Sequence, residues 1–370
     1  MRYALAGLAA LAVAMGIGRF AFTPLLPMML QDAGLSVAGG GWLASANYLG
    51  YLAGALWAGA TRARAASAIR AGLACIGLAT LGMALDAGFI AWALLRAAAG
   101  VGSAFVLIHT SAWCLERILP LGRPILAGVL YAGVGAGIFA AGLVCVLLMA
   151  RQATSSSAWL VLGLAALAVA AILWFVFGSG EEGARQQTVA GAWSWAQWRL
   201  ILAYGAYGFG YIVPATFLPV MAREVVSDPA VFGWAWPLYG AAAALATLAV
   251  APLAGRYSNR AVWIACHLVM ALGVAAPLAW SGIGGILLAA LCVGGPFVVV
   301  TMVGLQEARS SAGARAPRLM AAMTAAFAAG QIAGPLVVSL VVGAGGALSA
   351  ALLAACGMLL AGAALLLAPR

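Results

Sequence analysis

The sequence predicts an all-α membrane protein with twelve transmembrane helices, in two six-helix halves related by a pseudo-twofold axis along the membrane normal. Three observations carry this prediction: an apolar composition, long apolar runs and an internal repeat. Of the 370 residues, 66% are hydrophobic and only 7% are charged, whereas a soluble domain carries roughly 25% charged residues. The apolar runs are continuous, without the alternation of barrel strands, so helices are expected to cross the bilayer.

A spanning helix needs about 20 apolar residues. The apolar runs predict spans near 3–30, 39–60, 68–87, 89–115, 123–149 and 158–177, and then near 199–222, 233–254, 261–281, 283–305, 318–342 and 346–368. We therefore divide the chain into a first half, 1–177, a cytoplasmic linker, 178–197, and a second half, 198–370. The start resembles a signal peptide, but its apolar run continues past Arg19 to Leu30, so we interpret it as a retained first helix.

The arginines predict the orientation of the helices. All eighteen basic residues are arginines, of which fourteen fall on the side of the termini, two (Arg151 and Arg223) on the other side, and two (Arg19 and Arg96) within spans. Positive residues favour cytoplasmic loops, so both termini are expected in the cytoplasm. The net charge of +10 then reflects loop orientation, and no nucleic-acid partner is expected.

Several function classes lack their characteristic residues. The six cysteines lie in or beside apolar runs and form no CxxC pair, so neither a metal site nor a disulfide is expected. The sequence has no GxxxxGK[ST] loop, which argues against ATP hydrolysis by this chain. Two isolated histidines, His109 and His267, provide no cluster for an intramembrane enzyme, and the polar loops are too short for the output domain of a sensor. We therefore expect no enzyme activity and no cofactor.

The chain repeats itself at an offset of 192 residues. The most specific matches are Pro27 with Pro219, Trp42 with Trp234, Phe105 with Phe297 and Arg117 with Arg309. Six spans per half leave both halves in the same orientation, which places a binding site near the membrane midplane between them and supports alternating access. The repeat thus predicts a transporter that works as a monomer, with a small-molecule substrate and the lipid bilayer as its partners.

Several motifs resemble those of the major facilitator superfamily. Arg96-x-x-x-Gly100-x-Gly102 is similar to its helix-4 motif, and Gly330-x-x-x-Gly334-Pro335 to a glycine–proline motif that usually lies in helix 5. The run GIGRFAFTPLLP at 16–27 resembles the helix-1 signature of the bacterial YbfB-like transporters. The resemblance covers essentially the whole chain. It implies a secondary transporter of the bacterial inner membrane, coupled to protons, with helices 1 and 4 beside a central cavity.

One loop departs from the superfamily pattern. The loop between helices 2 and 3 usually carries G-x-x-x-D-R-x-G-R-R; here Arg64 and Arg256 match an arginine of this motif, while the aspartate is missing. Glu116 and Glu307 end helices 4 and 10 on the same side of the membrane. We expect them either to pair with the two arginines as a gate that stabilises the outward-open state, or to form surface ion pairs worth about 0–1 kcal/mol.

Two arginines are the strongest candidates for substrate binding. Arg19 lies about 24 Å along helix 1, and Arg96 lies about 10 Å into helix 4, so both are near mid-membrane. A charge inside a span costs roughly 2.5–3.5 kcal/mol on insertion scales and indicates function. Arg96 has the alternative role of holding helix-end carbonyls or pairing with Asp86. Since no Asp or Glu lies mid-span in the sequence, we expect a small organic anion, which arginine binds well.

Other polar residues complete the predicted site. Those placed on the same helix faces are Asn47, Tyr51, Tyr131, Tyr207, Tyr211, Tyr239 and Gln331, with packing as the alternative for the tyrosines. His109 titrates near physiological pH, and we assign it to gating or coupling together with Glu116, Arg64, Arg256 and Glu307; a histidine bonded to a carbonyl is its alternative. Export of lipophilic compounds by the same fold is the alternative function.

Overall fold

The computed structural model describes residues 1–60, 64–177, 192–251 and 256–367. These residues form long helices joined by short loops. We label the long helices α1 (Arg2–Asp32), α2 (Val37–Ala60), α3 (Ala65–Gly82), α4 (Phe89–Ile118), α5 (Pro124–Ala150), α6 (Ser155–Leu173), α7 (Trp195–Val225), α8 (Ala235–Val250), α9 (Asn259–Ala279), α10 (Ile283–Ala312), α11 (Ala316–Gly343) and α12 (Leu348–Leu367).

The helices follow the predicted spans, with ends shifted by a few residues. Within the described part of the chain, ten helices are long and apolar enough to cross a membrane, and α8, with 16 residues, is shorter. The largest difference is at the end of α10, which continues to Ala312 instead of ending near 305. Of the predicted linker, 178–191 lies outside the described residues, and α7 begins at Trp195, where Ser194 forms a capping box with Gln197.

Helix α1 changes its winding near the middle of its length. Its two ends are α-helical, whereas Ala12–Phe20 between them is π-helical. Regular α-helical winding resumes at Phe22, and Pro24 within this part lacks the N–H that would bond the carbonyl of Phe20. The wider turns leave backbone carbonyls free for side chains of neighbouring helices, a feature often found at functional sites.

The same helix pairs pack together among α1–α6 and among α7–α12. In the first set α1 packs on α5, α2 on α4, and α3 on both α4 and α6. In the second set α7 packs on α11, α8 on α10, and α9 on both α10 and α12. Between the sets, α2 packs on α11 and α5 on α8. Each of these pairings has its counterpart six helices later.

Small residues allow the two sets to approach closely. Where α5 meets α8, a Cβ on Gly135 would lie 2.6 Å from the carbonyl oxygen of Gly240, and a Cβ on Gly240 would lie 2.8 Å from that of Gly135. Neither glycine has room for a side chain. Close backbone approach of this kind is how membrane helices gain packing energy without a hydrophobic driving force.

Consecutive helices run in opposite directions, so their ends alternate between two faces of the molecule. We call the face that carries the start of α1 and the end of α12 the terminal face. The other face, which carries the start of α2 and the ends of α1, α7 and α11, is the opposite face. These names locate the site residues below.

Candidate substrate site

Arg19 is buried between the two sets of helices. It lies at the end of the π-helical segment of α1 and is 2% exposed. Its Nη2 donates a hydrogen bond of 2.9 Å to Oε1 of Gln331 on α11. The guanidinium carbon lies 4.1 Å from the ring centre of Tyr51 and 5.1 Å from that of Tyr48, both on α2. The partners that the structure gives Arg19 among the described residues are thus a neutral amide and aromatic faces, which stabilise a cation without neutralising it.

Gln331 uses both ends of its side-chain amide. Its oxygen accepts from Arg19, and its nitrogen donates to the hydroxyl of Tyr211 on α7. Gln331 and Tyr211 are fully buried. Three side chains therefore form one hydrogen-bonded chain that connects α1, α11 and α7 at mid-membrane.

Aromatic rings surround the Tyr211 end of this chain. Tyr211 stacks on Phe297 and Phe327 with ring centres 5.3 and 5.7 Å apart, and Phe20 of α1 meets Phe297 edge-on at 5.7 Å. Further members of the cluster are Tyr204, Tyr207, Trp236 and Tyr239. The Tyr239 hydroxyl is buried without a hydrogen-bond partner among the described residues. The cluster offers an apolar, planar surface beside a buried cation.

Tyr207, also predicted for the site, has a different role from Tyr211. Its hydroxyl donates to the backbone carbonyl of Phe297 at 2.5 Å. Pro296 precedes Phe297 inside α10, and a proline inside a helix disturbs the backbone hydrogen bonds around it. Tyr207 therefore links α7 to α10 by a hydrogen bond from its hydroxyl to the backbone.

Arg96 has partners of another kind. Its Nη2 donates to the carbonyl oxygen of Arg19 at 2.9 Å, and its Nη1 reaches that of Gly18 at 3.5 Å. Its guanidinium carbon also lies 4.9 Å from the ring centre of Phe22, while Asp86 is exposed near the opposite face. The structure therefore gives Arg96 the alternative role of holding carbonyls, and these belong to the interior of α1 rather than to a helix end.

Asn47 acts on the same segment of α1. Its amide nitrogen donates to the carbonyl oxygen of Gly18 at 3.0 Å and to that of Arg96 at 2.8 Å. Ser103 of α4 donates to the carbonyl of Ala14 at 2.7 Å. Asn47, Arg96 and Ser103 together satisfy the carbonyls that the π winding exposes, and thereby fix the position of Arg19.

In the described part of the chain, no hydrogen bond or ring contact joins Arg19 to Tyr131 or His109, the other residues predicted for binding and coupling, or to His267. Tyr131 is partly buried on α5. His109 is partly buried on α4, where its ring lies 5.8 Å from that of Phe105 and its Nε2 has no hydrogen-bond partner among the described residues. His267 of α9, fully buried, places Nδ1 3.2 Å from the carbonyl of Trp263.

The predicted gate on the terminal face shows other pairs. Glu307 accepts from Nε of Arg260 at 2.7 Å, and Glu116 lies 3.4 Å from Arg117, its neighbour in the chain. Arg64 and Arg256 are exposed. Each of these two ion pairs, which lie within the described residues, joins residues of a single helix set. Parts of the compared loops, 61–63 and 252–255, lie outside the described residues.

The hydrogen bonds between the two sets lie elsewhere. Among the described residues they are Arg19–Gln331, Thr23–Ala215, Ser45–Ile332, Tyr48–Thr216, Arg223–Pro27, Arg223–Gln31 and Ser339–Ala38. On α1, α7 and α11 they use the second part of the helix, and on α2 the first part. They therefore join the sets from mid-membrane to the opposite face.

A cleft of about 370 Å³ opens on the opposite face above this closure, lined by residues that include Gln31, Asp32, Thr154 and Arg223. Asp32 accepts hydrogen bonds of 2.6 Å from the backbone nitrogen and the hydroxyl of Ser155. The carboxylate therefore caps the start of α6. The cleft is separated from Arg19 by the bonded outer parts of α1 and α7.

Several residues of this region are absent from the site predicted from the sequence. Tyr48 lies one turn from Tyr51 on the same face of α2, so helical spacing was a usable signal. Phe297 was noticed in the repeat but was not assigned to the site. Phe327 lies one turn before Gln331 on α11, at the same spacing. Thr23 and Arg223 carried no sequence signal, because each donates to a backbone carbonyl.

A multi-pass helical protein that holds a buried cation between two sets of helices belongs to the class of membrane transporters. Comparison with protein families makes this specific: the chain belongs to the family described as the uncharacterised MFS-type transporter YbfB, which it matches over residues 11–367. The resemblance found in the sequence motifs is thereby confirmed.

A comparison with curated proteins gives no match. Among solved structures, the chain is similar to a crystal structure of a mutant form of the nucleoside transporter NupG, with a TM-score of 0.76 and 15% sequence identity over 98% of each chain. At this identity the similarity shows the fold alone.

Proposed function

We propose that this chain is a secondary active transporter that moves a small organic anion across the bacterial inner membrane by alternating access. The observation that carries the proposal is the environment of Arg19. The guanidinium is buried at mid-membrane, and the partners that the structure gives it among the described residues are neutral. A buried charge of this kind is costly and marks function in membrane proteins.

An anion is the ligand that completes this environment. Within the described residues, the arginine–carboxylate ion pairs are Arg117–Glu116 and Arg260–Glu307, at the terminal-face ends of α4 and α10. Nε of Arg19 is buried and has no hydrogen-bond partner in that part of the chain. Charge-assisted hydrogen bonds are roughly twice as strong as neutral ones. An anionic substrate therefore gains more at Arg19 than a neutral or cationic one.

The packing supports two six-helix halves, twelve spanning helices in all, related by a pseudo-twofold axis. Positions related by the 192-residue repeat touch each other across the interface: Thr23 donates to the carbonyl of Ala215, and Arg223 donates to Gln31. Contact between equivalent positions is what an axis passing between α1 and α7 produces. The repeated helix pairings are consistent with halves at 1–177 and 198–370.

The hydrogen bonds between the halves support alternating access, since they close the opposite face. With both termini in the cytoplasm, as the arginines predict, the closed face is the outer one. Proton coupling is the expectation from the family, with His109 as the titratable group beside the path. A monomer suffices, because the halves supply both walls of the site.

The first test is uptake of labelled anions into proteoliposomes, combined with thermal-shift measurements on the purified chain. The panel contains small carboxylates, phosphates, uridine as a neutral nucleoside, and lipophilic cations. Binding raises the melting temperature of the folded protein. We expect stabilisation and uptake with an anion, both lost in Arg19→Gln and retained in Arg151→Gln, an exposed arginine on the opposite face. Stabilisation by uridine or by cations that is unchanged in Arg19→Gln would refute the proposal.

A second candidate, export of lipophilic compounds, is favoured by the aromatic cluster around Tyr211. The two candidates differ in their dependence on Arg19. Lipophilic cations would be repelled by the guanidinium, so their transport should increase in Arg19→Gln, whereas anion transport should disappear.

A further inference from the structure

We infer that the side-chain amide of Gln331 holds the place of the substrate's carboxylate, and that the substrate is a monocarboxylate which replaces Gln331 on Arg19 and Tyr211. This inference rests on the proposed function and names its substrate class. The inference is carried by a buried series of hydrogen bonds, in which Gln331 accepts from Arg19 and donates to Tyr211.

The shape of the amide defines the group that fits. A carboxamide and a carboxylate are both planar, with two polar atoms on one carbon at the same spacing. In place of the amide, one carboxylate oxygen accepts from Nη2 of Arg19 and the other accepts from the Tyr211 hydroxyl. A tyrosine hydroxyl can donate as well as accept, so Tyr211 need only rotate its proton.

The donors at this position favour a single carboxylate. The Nη atoms of the nearby Arg96 are engaged by the carbonyls of Gly18 and Arg19, which leaves the charge of Arg96 in place but occupies these donors. The ligand is therefore held by Arg19 and Tyr211, which match the two oxygens of a planar carboxylate, whereas a tetrahedral phosphonate brings a third oxygen for which neither of them has a donor. The apolar body of the substrate would lie on the rings of Phe297 and Phe327, which already stack on Tyr211.

The replacement also changes the link between the halves. Arg19 lies on α1 in the first half and Gln331 on α11 in the second. Among the hydrogen bonds by which α1 contacts the second half, this one is nearest the middle of the helix. When a carboxylate takes the guanidinium, the amide is released. The carboxylate then joins Arg19 of the first half to Tyr211 of the second, so the link between the halves at this level depends on the substrate instead of on Gln331.

The test compares ligand affinities of the full-length purified chain by isothermal titration calorimetry. The probes are benzoate, its neutral amide benzamide, and phenylphosphonate as the dianion. The first variant is Gln331→Met, which removes the amide that competes with the substrate for Arg19. The second is Gln331→Glu, which places a covalently attached carboxylate on Arg19. Gln306→Met, on an exposed position of α10, is the matched control.

We expect wild type to bind benzoate and to discriminate against the other two probes. Because a hydrogen bond to a charged group contributes about 1.5–3 kcal/mol, Gln331→Met should bind benzoate about tenfold more tightly or better. Gln331→Glu should fold with an unchanged or higher melting temperature and should lose benzoate binding by at least about a hundredfold, since its carboxylate occupies Arg19.

The outcomes separate this inference from the proposed function. Weaker benzoate binding in Gln331→Met would mean that the amide contacts the substrate, and would overturn the inference while anion transport stands. Stronger binding of phenylphosphonate than of benzoate would overturn the substrate class alone. If wild type shows no anion binding that depends on Arg19, the proposed function fails and the inference with it. If Gln331→Glu does not fold, the Gln331→Met result decides.

Discussion

Arg19 and Arg96 are equally buried, at 2% exposure each, and lie side by side at mid-membrane, yet their partners differ. Arg96 donates to backbone carbonyls of α1 within its own half. Arg19 donates across the interface to a side chain of the other half, Gln331. A backbone carbonyl within the same packed half stays in place through a transport cycle, whereas an amide across the interface moves away when the halves separate.

The difference shows that burial of a charge does not by itself identify a binding residue. In a membrane the backbone must be satisfied internally, and an arginine is a suitable donor where a π segment exposes two carbonyls. The partner of the charge decides its role. Both guanidinium groups keep their charge, but the Nη atoms of Arg96 hold backbone carbonyls of α1, whereas Nη2 of Arg19 holds a side chain of the other half that a ligand can replace.

The largest expected effect is on transport by Arg19→Gln. Loss of one member of a buried charge pair costs about 2–5 kcal/mol, so anion uptake should fall by about thirtyfold or more. The melting temperature should stay the same or rise, because the substitution removes a buried charge. Initial uptake rates in proteoliposomes and a melting curve test both parts. Arg19→Lys should retain partial uptake, since it keeps the charge without the forked donors.

Arg96→Gln should show the reverse pattern. Removing its donors leaves the carbonyls of Gly18 and Arg19 less well satisfied, which should lower the free energy of unfolding by about 3 kcal/mol. The measurement is chemical unfolding in mixed micelles, with wild type and Arg19→Gln beside it. A variant that is as stable as wild type but transports nothing would place Arg96 in the binding site and abolish the contrast between the two arginines.

Arg260 extends the comparison to an arginine that has a carboxylate partner. It pairs with Glu307, whose side chain is 1% exposed. Arg260→Met should lower the free energy of unfolding by about 2 kcal/mol, because a buried carboxylate loses the charge-assisted hydrogen bond from Nε of Arg260. Glu307→Gln should cost less, since the amide oxygen still accepts. Transport per folded molecule should change little in both variants, and a specific loss of transport would instead indicate a gate at this position.

Much of the fold could be predicted from the sequence, because membrane helices are recognised by the length and apolarity of their segments. The repeat added the pairing of segments, as the match of Pro27 with Pro219 illustrates. The π winding of Ala12–Phe20 was not predictable in the same way. It depends on donors from α2 and α4, and their proximity is a property of the packed structure.

The site was predictable where a residue's chemistry conflicts with its surroundings. Arg19 stands out in an apolar segment, and Gln331 does so more weakly. The bonds that join the halves were not predictable, since Thr23 and Arg223 donate to backbone carbonyls that every residue possesses. The charged residues Glu116 and Glu307 predicted a gate on the terminal face, whereas the hydrogen bonds between the halves lie nearer the opposite face and most of them end on a hydroxyl, an amide or a backbone carbonyl.

The smallest expected effect tests these weak bonds directly. Thr23→Val preserves the shape of the side chain and removes its bond to the carbonyl of Ala215. One hydrogen bond contributes about 1 kcal/mol. This corresponds to roughly a fivefold change in the ratio of molecules with an open to those with a closed opposite face. Pulsed electron paramagnetic resonance between spin labels at Arg151 and Ser227, exposed on the opposite face, would measure that population in a background without the native cysteines.

We expect the wide-distance population to increase about fivefold in Thr23→Val and to stay at the wild-type level in Thr80→Val, the same substitution at a buried position within α3. An unchanged distribution in both variants would mean that the Thr23 bond does not hold this face closed.

In Arg19→Gln the same labels should show a wider separation even without ligand, because the bond to Gln331 is lost. Arg96→Gln, whose bonds lie within one half, should leave the distance between the halves unaltered in its folded fraction.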